Sequence, residues 1–171
     1  AAWAQILGGT SYDLGNGIAV LPDGSFAITG STQSFGAGSS DVLTAKYYGN
    51  GTLAWAQTLG GVLTDQGNGI AVLPDGSFAI TGQTTSFGAG TTDILIAKYY
   101  GNGTLAWSQT LGGTNIDYGQ GIAVLPDGSF AIVGYTFRGS FPDVLVAKYY
   151  GNGTLSWSQT LGGIKIGRAH V

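Results

Sequence analysis

The chain has 171 residues with 32 Gly, no Cys and no Met, and only 9% of its residues are charged, at a formal net charge of -3. Because 43% of the residues are hydrophobic, the composition excludes a disordered chain, and the lack of Cys excludes a disulfide-based scaffold. Six Lys and Arg residues are too few to form the clustered cations of a nucleic-acid-binding surface.

Three copies of one repeat account for most of the chain. The sequence GIAVLPDGSFAI begins at Gly17, Gly69 and Gly121, and AKYYGNGTL begins at Ala45, Ala97 and Ala147. Four Trp residues keep the same phase at spacings of 52, 52 and 50 residues. The repeats are 17–68, 69–120 and 121–163, preceded by a segment at 1–16 that corresponds to the outer strand and loop of an earlier repeat, and followed by a non-repeating tail at 164–171.

The predicted elements are β-strands joined mostly by tight turns. An opening strand at 2–7 is followed in the first repeat by strands at 17–21, 25–30, 42–48 and 53–59. Pro22-Asp23-Gly24 predicts a hairpin turn between the first two of these strands, and Asn50-Gly51 predicts a type I′ turn before the fourth. No segment has a helical period, Gly is frequent throughout, and Glu is absent.

Apolar residues occupy both faces of the predicted strands, which indicates sheets covered on both sides. With four strands in about 52 residues, the pattern predicts an all-β chain of three four-stranded β-propeller-type blades plus one extra outer strand. Three blades do not close a ring, because propellers have roughly four to eight blades. We therefore expect either a piece of a longer array or a protomer that shares strands with its neighbours, and the absence of Met favours a processed chain or an excerpt.

The motifs W-x-Q-T-L-G-G, D-x-G-N-G-I-A-V, P-D-G-S-F-A-I-T-G and D-V-L-x-A-K resemble the bacterial secreted β-propeller repeat family, often labelled SBBP. Their phase is also similar to that of NHL-type blades. The resemblance runs from Trp3 to about Gly163 and implies that the first strand of each repeat is innermost and the fourth outermost. It also implies a secreted or surface location, and it implies little about activity.

The tail at 164–171 reads IKIGRAHV and carries two of the six cations and the single His. Its last seven letters resemble a translated sequencing adapter. We exclude the tail from the fold prediction for this reason.

Nine Asp residues recur at three positions of the repeat, where they suit either Ca²⁺ binding or carboxylate catalysis, or else turns in which they accept backbone N–H groups. No D-x-D-x-D-G loop is present, so the turn interpretation is favoured and no metal or other cofactor is expected. The nine are Asp13, Asp23, Asp41, Asp65, Asp75, Asp93, Asp117, Asp127 and Asp143.

Other repeated residues have two interpretations each. Asn-Gly-Thr is a glycan acceptor sequence and also a good turn sequence; it occurs at Asn50, Asn102 and Asn152. Aromatic residues at blade spacing suit either sugar stacking or packing between blades, and the latter is favoured; they are Tyr48, Tyr100, Tyr150, Trp55, Trp107 and Trp157. One Lys recurs in each repeat and suits a salt bridge with a nearby Asp; these residues are Lys46, Lys98 and Lys148. Arg138 is the distinctive charge of a loop that differs between repeats.

Catalysis is not expected, because the copies are nearly identical and the repeats contain neither His nor Cys. The favoured function is an extracellular structural scaffold that associates with copies of itself through open blade edges and faces, as a ring or a filament. The alternative is a lectin-like module that binds carbohydrate at one shallow site per blade. Membrane insertion is not expected, because every apolar run is far shorter than the roughly 20 residues of a membrane-spanning helix.

Overall fold

The computed structural model describes residues 2–162, so the predicted tail at 164–171 lies outside the described residues. Twelve strands form within residues 2–162. They are β1 (Asp13–Val20), β2 (Phe26–Thr32), β3 (Asp41–Tyr47), β4 (Leu53–Leu59), β5 (Asp65–Val72), β6 (Phe78–Thr84), β7 (Asp93–Tyr99), β8 (Leu105–Leu111), β9 (Asp117–Val124), β10 (Phe130–Phe137), β11 (Pro142–Tyr149) and β12 (Leu155–Leu161).

The strands form three antiparallel sheets of four, each in chain order, which we name blade 1 (β1–β4), blade 2 (β5–β8) and blade 3 (β9–β12). Each blade contains one copy of the repeated sequence but begins four residues before the predicted repeat, at Asp13, Asp65 and Asp117. The prediction of an all-β chain with three four-stranded blades is therefore confirmed. Residues 2–162 contain no helix long and apolar enough to cross a membrane.

The innermost strand of each blade is longer than predicted. β1 begins at Asp13 rather than at Gly17, because a β-bulge between Gly15 and Gly17 lets pairing with β2 continue past Asn16. The backbones approach closely there: a Cβ added to Gly30 would lie 1.8 Å from the Leu14 carbonyl oxygen. Glycine is therefore required at this position on steric grounds.

The Asn-Gly turn is not the type I′ turn that the sequence predicted. Tyr48 C=O accepts a hydrogen bond from Gly51 N–H at 2.9 Å, and Gly51 has φ of +89°. Asn50 keeps a negative φ, since among the described residues only glycines have positive φ. The connection is therefore a type I turn followed by one left-handed glycine, which is the common geometry of a three-residue hairpin loop.

Consecutive blades pack face to face. We call the face of a blade that meets the preceding blade its front face, and the opposite one its back face. The core between blades 1 and 2 joins back-face Leu21, Ala27 and Val42 to front-face Ile70, Phe78, Ile80, Leu95, Ala97 and Tyr99. An equivalent core joins blades 2 and 3 through Leu73, Ala79, Ile94 and Ile96 on one side and Phe130, Ile132, Leu145, Ala147 and Tyr149 on the other.

Polar contacts fix the order of the inner strands. The Asn16 side-chain amide donates to Gly67 C=O at 2.8 Å, and that of Asn68 donates to Gly119 C=O at 2.7 Å. Each bulge of one blade is thereby connected to the inner strand of the next. This places β1, β5 and β9 side by side, in agreement with the predicted phase of the repeat.

The opening segment, residues 2–7, is not assigned as a strand, although the sequence predicted an outer strand there. The reason is that an outer strand pairs with the third strand of its own blade, and the described residues contain no such strand before β1. The segment nevertheless lies on the front face of blade 1, where Trp3 stacks on Phe26.

Candidate functional site: the outer blade faces

An indole ring from one blade covers an aromatic pair on the next. Trp55 of β4 lies with its ring centroid 5.9 Å from that of Phe78 and 6.1 Å from that of Tyr99, both in blade 2. Its Nε1 donates a hydrogen bond to Gly101 C=O at 3.0 Å. The contact combines apolar burial with one directional hydrogen bond, and it aligns the blades as well as holding them together.

The same contact recurs between blades 2 and 3. The Trp107 ring centroid lies 6.1 Å from that of Phe130 and 6.5 Å from that of Tyr149. Its Nε1 donates a hydrogen bond to Gly151 C=O at 3.2 Å. Lys98 Nζ donates to that same carbonyl at 3.0 Å. The Asn-Gly turn also accommodates the indole, because a Cβ added to Gly153 would lie 3.1 Å from the Trp107 ring.

Trp3 makes the equivalent contact with blade 1. Its ring centroid lies 5.9 Å from that of Phe26, and its Nε1 donates to Gly49 C=O at 3.2 Å. A Cβ added to Gly51 would lie 2.7 Å from the Trp3 ring. The first three Trp residues of the sequence thus occupy equivalent positions, one on the front face of each blade.

The fourth, Trp157, extends from the back face of blade 3 and has no aromatic partner among the described residues, and it is 43% exposed. Val144 on the same face is 42% exposed, whereas the equivalent Val42 and Ile94 are fully buried beneath the next blade. Val133, also on this face, is exposed as well. The back face of blade 3 therefore presents the apolar surface that blades 1 and 2 bury.

The front face of blade 1 is open at its inner strand. Ile18 is 66% exposed, while its equivalent in blade 2, Ile70, is only 7% exposed. A Cβ added to Gly15 would meet no atom within 4 Å, but one added to Gly67 would lie 2.1 Å from Thr29 Oγ1 of the preceding blade. The front face of blade 1 and the back face of blade 3 are thus the two halves of an interface that forms twice inside the chain.

The predicted glycan acceptors lie at exposed turns. Asn50 Oδ1 accepts a hydrogen bond from Thr52 N–H at 3.0 Å, and Asn102 and Asn152 do the same with Thr104 and Thr154. This contact gives each side chain a role in its turn. Glycan attachment stays a prediction.

The predicted aromatic residues divide into two groups. Trp55 and Trp107 are partly buried between blades, whereas Trp157 is exposed. The Tyr residues at the third-strand ends are exposed at equivalent places on each blade: Tyr48, Tyr100 and Tyr150. Lys148 Nζ lies 5.9 Å from the centroid of the Tyr150 ring. The structure therefore brings the Trp and Tyr residues to different surfaces and does not combine them into one site.

The Asp residues at the first turn of each repeat accept hydrogen bonds from a nearby Ser. Asp23 Oδ1 accepts from Ser25 N–H at 2.9 Å and from the Ser25 hydroxyl at 2.5 Å. The Ser25 hydroxyl, followed by its backbone N–H, lowers the pKa of Asp23. A carboxyl whose folded pKa is lowered stabilises the fold above its unfolded-state pKa, and this contribution is lost as pH falls through the folded value.

The Asp residues that begin the inner strands connect a loop to two strands. The Asp13 carboxylate accepts hydrogen bonds from Gly9 N–H at 2.9 Å, Thr32 Oγ1 at 2.5 Å and Ser34 Oγ at 2.7 Å. The Thr32 hydroxyl is the first cause of the lowered pKa of Asp13, followed by Gly9 N–H. Buried Asp65 accepts the same three kinds of donor in blade 2, from Gly61, Thr84 and Ser86. Within residues 2–162 no group of three or more His, Cys, Asp or Glu side chains converges as a metal site would require.

Two of the regular cations lie beside Asp residues. Lys98 Nζ is 3.7 Å from Asp75 Oδ2, and Lys148 Nζ is 4.0 Å from Asp127 Oδ2. These Asp side chains are about 60% exposed, so we assign the ion pairs little stabilising free energy.

Arg138 lines a cavity of about 680 Å³ beside Asp117 and Thr136. The cavity lies between the segment that follows β8, including Gly113, and blade 3, where the loop after β10 is two residues shorter than its equivalents. In blade 2 the Ser86 and Phe87 side chains cover Gly61, whereas a Cβ added to the equivalent Gly113 would meet nothing within 4 Å. The sequence singled out Arg138 but not the cavity, which results from the shorter loop.

No family model matches the chain. It is 30% identical over 131 residues to the regulatory protein FlaEY of Caulobacter vibrioides, and the match covers 67% of this chain and 14% of that protein. Among solved structures, it is similar to a chain in the crystal structure of a eukaryotic initiation factor, with a TM-score of 0.51 and 10% sequence identity. That similarity covers 86% of this chain and 32% of the other, and it concerns the fold alone.

Proposed function

We propose that the chain is a structural repeat scaffold outside the cell that associates head to tail with copies of itself. In this proposal the back face of blade 3 of one copy docks on the front face of blade 1 of the next. The single observation that carries the proposal is the match between these two exposed faces and the two faces that pack together twice within the chain.

The residue types on the exposed back face of blade 3 support burial of this face by a second copy. At one position this face is more apolar in blade 3 than in blades 1 and 2, because Val133 corresponds to Thr29 and Thr81. At another position Val146 is apolar like Ile96 of blade 2, where blade 1 has Thr44. The back face of blade 3 is therefore no more polar than the two back faces that are buried within the chain. A second copy supplies the complementary surface, since its blade 1 carries the same front-face residue types as blades 2 and 3.

The contact is heterologous, because different faces of the two copies meet. Such a contact gives a closed ring or an open filament, depending on the rotation between copies. The low content of charge, the repeats and the resemblance to the secreted β-propeller family support an extracellular location and a structural rather than catalytic role. Fractionation of the source cells, with an antibody against the chain, tests the location.

Light scattering across the micromolar concentration range tests the association. We expect a mass that rises with concentration above the 17.4 kDa of one chain, and a smaller rise for Trp157→Ala. A single species of 17.4 kDa at every concentration would contradict the proposal.

A lectin-like function is the second candidate, favoured by the three exposed Tyr residues at equivalent blade positions. A glycan array probed with the labelled chain tests it. Binding that is lost when Tyr48, Tyr100 and Tyr150 are all replaced by Ala would support this function. Absence of binding to every glycan, or binding that survives the triple replacement, would exclude these residues as a sugar site.

A further inference from the structure

A polar cavity lies where the inner strands of the three blades are side by side. Its volume is about 460 Å³, which is typical of sites that bind small ligands. All three blades contribute to its lining, which consists of Asn16, Asn68, Gln83, Tyr118, Gln120 and Tyr135. Each of these six side chains can form hydrogen bonds, and none of the six is charged. The lining therefore suits a neutral ligand that is rich in hydrogen-bonding groups.

β-bulges bring three of the amide side chains to this cavity. In each inner strand one residue is left out of the pairing with the second strand of its blade; these residues are Asn16, Asn68 and Gln120. A bulge redirects the side chain of its extra residue, and bulges are common beside functional sites. The repeated bulge thus supplies one cavity-lining amide from every blade.

The amides of blade 2 hold one another in place. Asn68 Nδ2 donates hydrogen bonds to Gln83 Oε1 and to Gly119 C=O, both at 2.7 Å. Gln66 Nε2 donates to Asn68 Oδ1 at 3.0 Å, and Gln83 Nε2 donates to Gln66 Oε1 at 3.4 Å. The three amides therefore form a closed ring of hydrogen bonds, which orients them before a ligand binds. Such preorganisation lowers the entropic cost of binding.

The cavity lies at a position where the repeats differ. Two residues face each other there on the first and second strands of each blade; the pairs are Leu14 and Ser31, Gln66 and Gln83, and Tyr118 and Tyr135. The flanking sequence GIAVLPDGSFAI is identical in all three repeats. Because the three blades share one fold, the fold itself does not require these differences. They give the chain one asymmetric site, with amides from blade 2 and aromatic rings from blade 3.

The two Tyr rings of blade 3 lie next to each other. The ring centroids of Tyr118 and Tyr135 are 5.0 Å apart at an interplanar angle of 40°, and both side chains are half-buried. Phe137 packs edge-on against Tyr135 with centroids 5.9 Å apart. A Tyr side chain offers an apolar ring and a hydrogen-bonding hydroxyl together. A sugar has the matching combination of C–H ring faces and hydroxyl groups.

We propose that this cavity binds a neutral carbohydrate of disaccharide size, held by the amides of Asn68 and Gln83 and by the rings of Tyr118 and Tyr135. The site does not depend on head-to-tail association. It is also separate from the exposed Tyr residues at the third-strand ends, of which Tyr100 is one.

Saturation-transfer NMR tests the site with cellobiose, maltose and lactose, and titration calorimetry measures the affinity of each sugar that binds. Acetyl-triglycine amide is the neutral probe that is not a sugar, and glucuronate is the charged probe. The variant Tyr118→Leu/Tyr135→Ser places the residue pair of blade 1 in blade 3, and Gln83→Ser places the Ser of that pair in blade 2. The fold already accommodates both residues at this position, and circular dichroism establishes that each variant is folded. Tyr100→Ala is the matched control, since it removes an exposed Tyr ring outside the cavity.

We expect a neutral disaccharide to bind wild type and Tyr100→Ala with equal affinity. The affinity should fall about 10-fold in Tyr118→Leu/Tyr135→Ser and about 5-fold in Gln83→Ser, and the peptide and glucuronate should bind more weakly than the sugar. Absence of binding by all three disaccharides at millimolar concentration would overturn the proposal, as would tighter binding of the peptide. Sugar binding that is lost in Tyr100→Ala and kept in Tyr118→Leu/Tyr135→Ser would place the sugar on the outer Tyr residues and overturn this site.

Discussion

Replacement of Trp55 by Ala tests how much the indole contact contributes to the packing between blades. The substitution removes two aromatic contacts, at 5.9 Å to Phe78 and 6.1 Å to Tyr99, and the hydrogen bond from Nε1 to Gly101 C=O. Truncation of a buried Trp costs about 3–5 kcal/mol. Since this indole is only partly buried, we expect a loss of about 3 kcal/mol in the free energy of unfolding.

Urea denaturation monitored by circular dichroism measures this loss, and a thermal scan should show a melting temperature lowered by roughly 6–12 °C. Trp157→Ala is the matched control, because that Trp occupies the equivalent position in blade 3 without an aromatic partner among the described residues. Measured at the lowest practicable concentration, the control should cost less than about 1 kcal/mol. Equal losses for the two variants would refute the reasoning, since the cost would then not come from contact with the next blade.

Three further predictions concern the frame that carries the faces. Gly82→Ala should prevent blade 2 from forming, because the new Cβ would lie 1.8 Å from the Gln66 carbonyl oxygen. We expect the variant to lose the strand signal in circular dichroism, and a stable, fully folded variant would argue against the bulge geometry. Asp65→Asn should lower the free energy of unfolding by about 2–3 kcal/mol, because both carboxylate oxygens accept hydrogen bonds, one from Thr84 and the other from Gly61 and Ser86, and an amide nitrogen in place of either oxygen cannot accept. An unchanged urea midpoint would contradict it. Burial raises the pKa of Tyr99 from 10.0 to about 12, so this residue stabilises the fold fully below pH 10 and loses its contribution of roughly 3 kcal/mol as pH rises through 12. Urea titrations between these pH values should show a smaller loss in Tyr99→Phe than in wild type, since burial also raises the pKa of Tyr47 and of Tyr149.

The repeated strands and turns were predictable because local sequence determines them. The positions of Pro22-Asp23-Gly24 and of Asn50-Gly51 between apolar runs located the hairpins correctly. The turn type was not predictable from Asn-Gly alone, since the loop includes Gly49 as a third residue and leaves only Gly51 left-handed. The early start of β1 was also missed, because a bulge in a Gly-rich segment interrupts the alternation that marks a strand.

The division of each strand into a front and a back face was not predictable, because both faces are apolar. Each indole contact joins three residues that are distant in the sequence, for example Trp55, Phe78 and Gly101. One signal was nevertheless readable in the alignment of the repeats. The change from Thr29 and Thr81 to Val133 marks the back face of blade 3 as more apolar than its equivalents.

Cross-linking between single-Cys variants tests head-to-tail docking most directly, because the chain contains no native Cys. Within the chain, a Cβ at Gly67 would lie 2.1 Å from Thr29 Oγ1 and one at Gly119 would lie 2.3 Å from Thr81 Oγ1. Between copies, the equivalent pair is Gly15 and Val133. An equimolar mixture of Gly15→Cys and Val133→Cys should yield a disulfide-linked dimer under mild oxidation, whereas Gly15→Cys mixed with Thr52→Cys should not. Equal yields from the two mixtures would contradict the docking of blade 3 on blade 1.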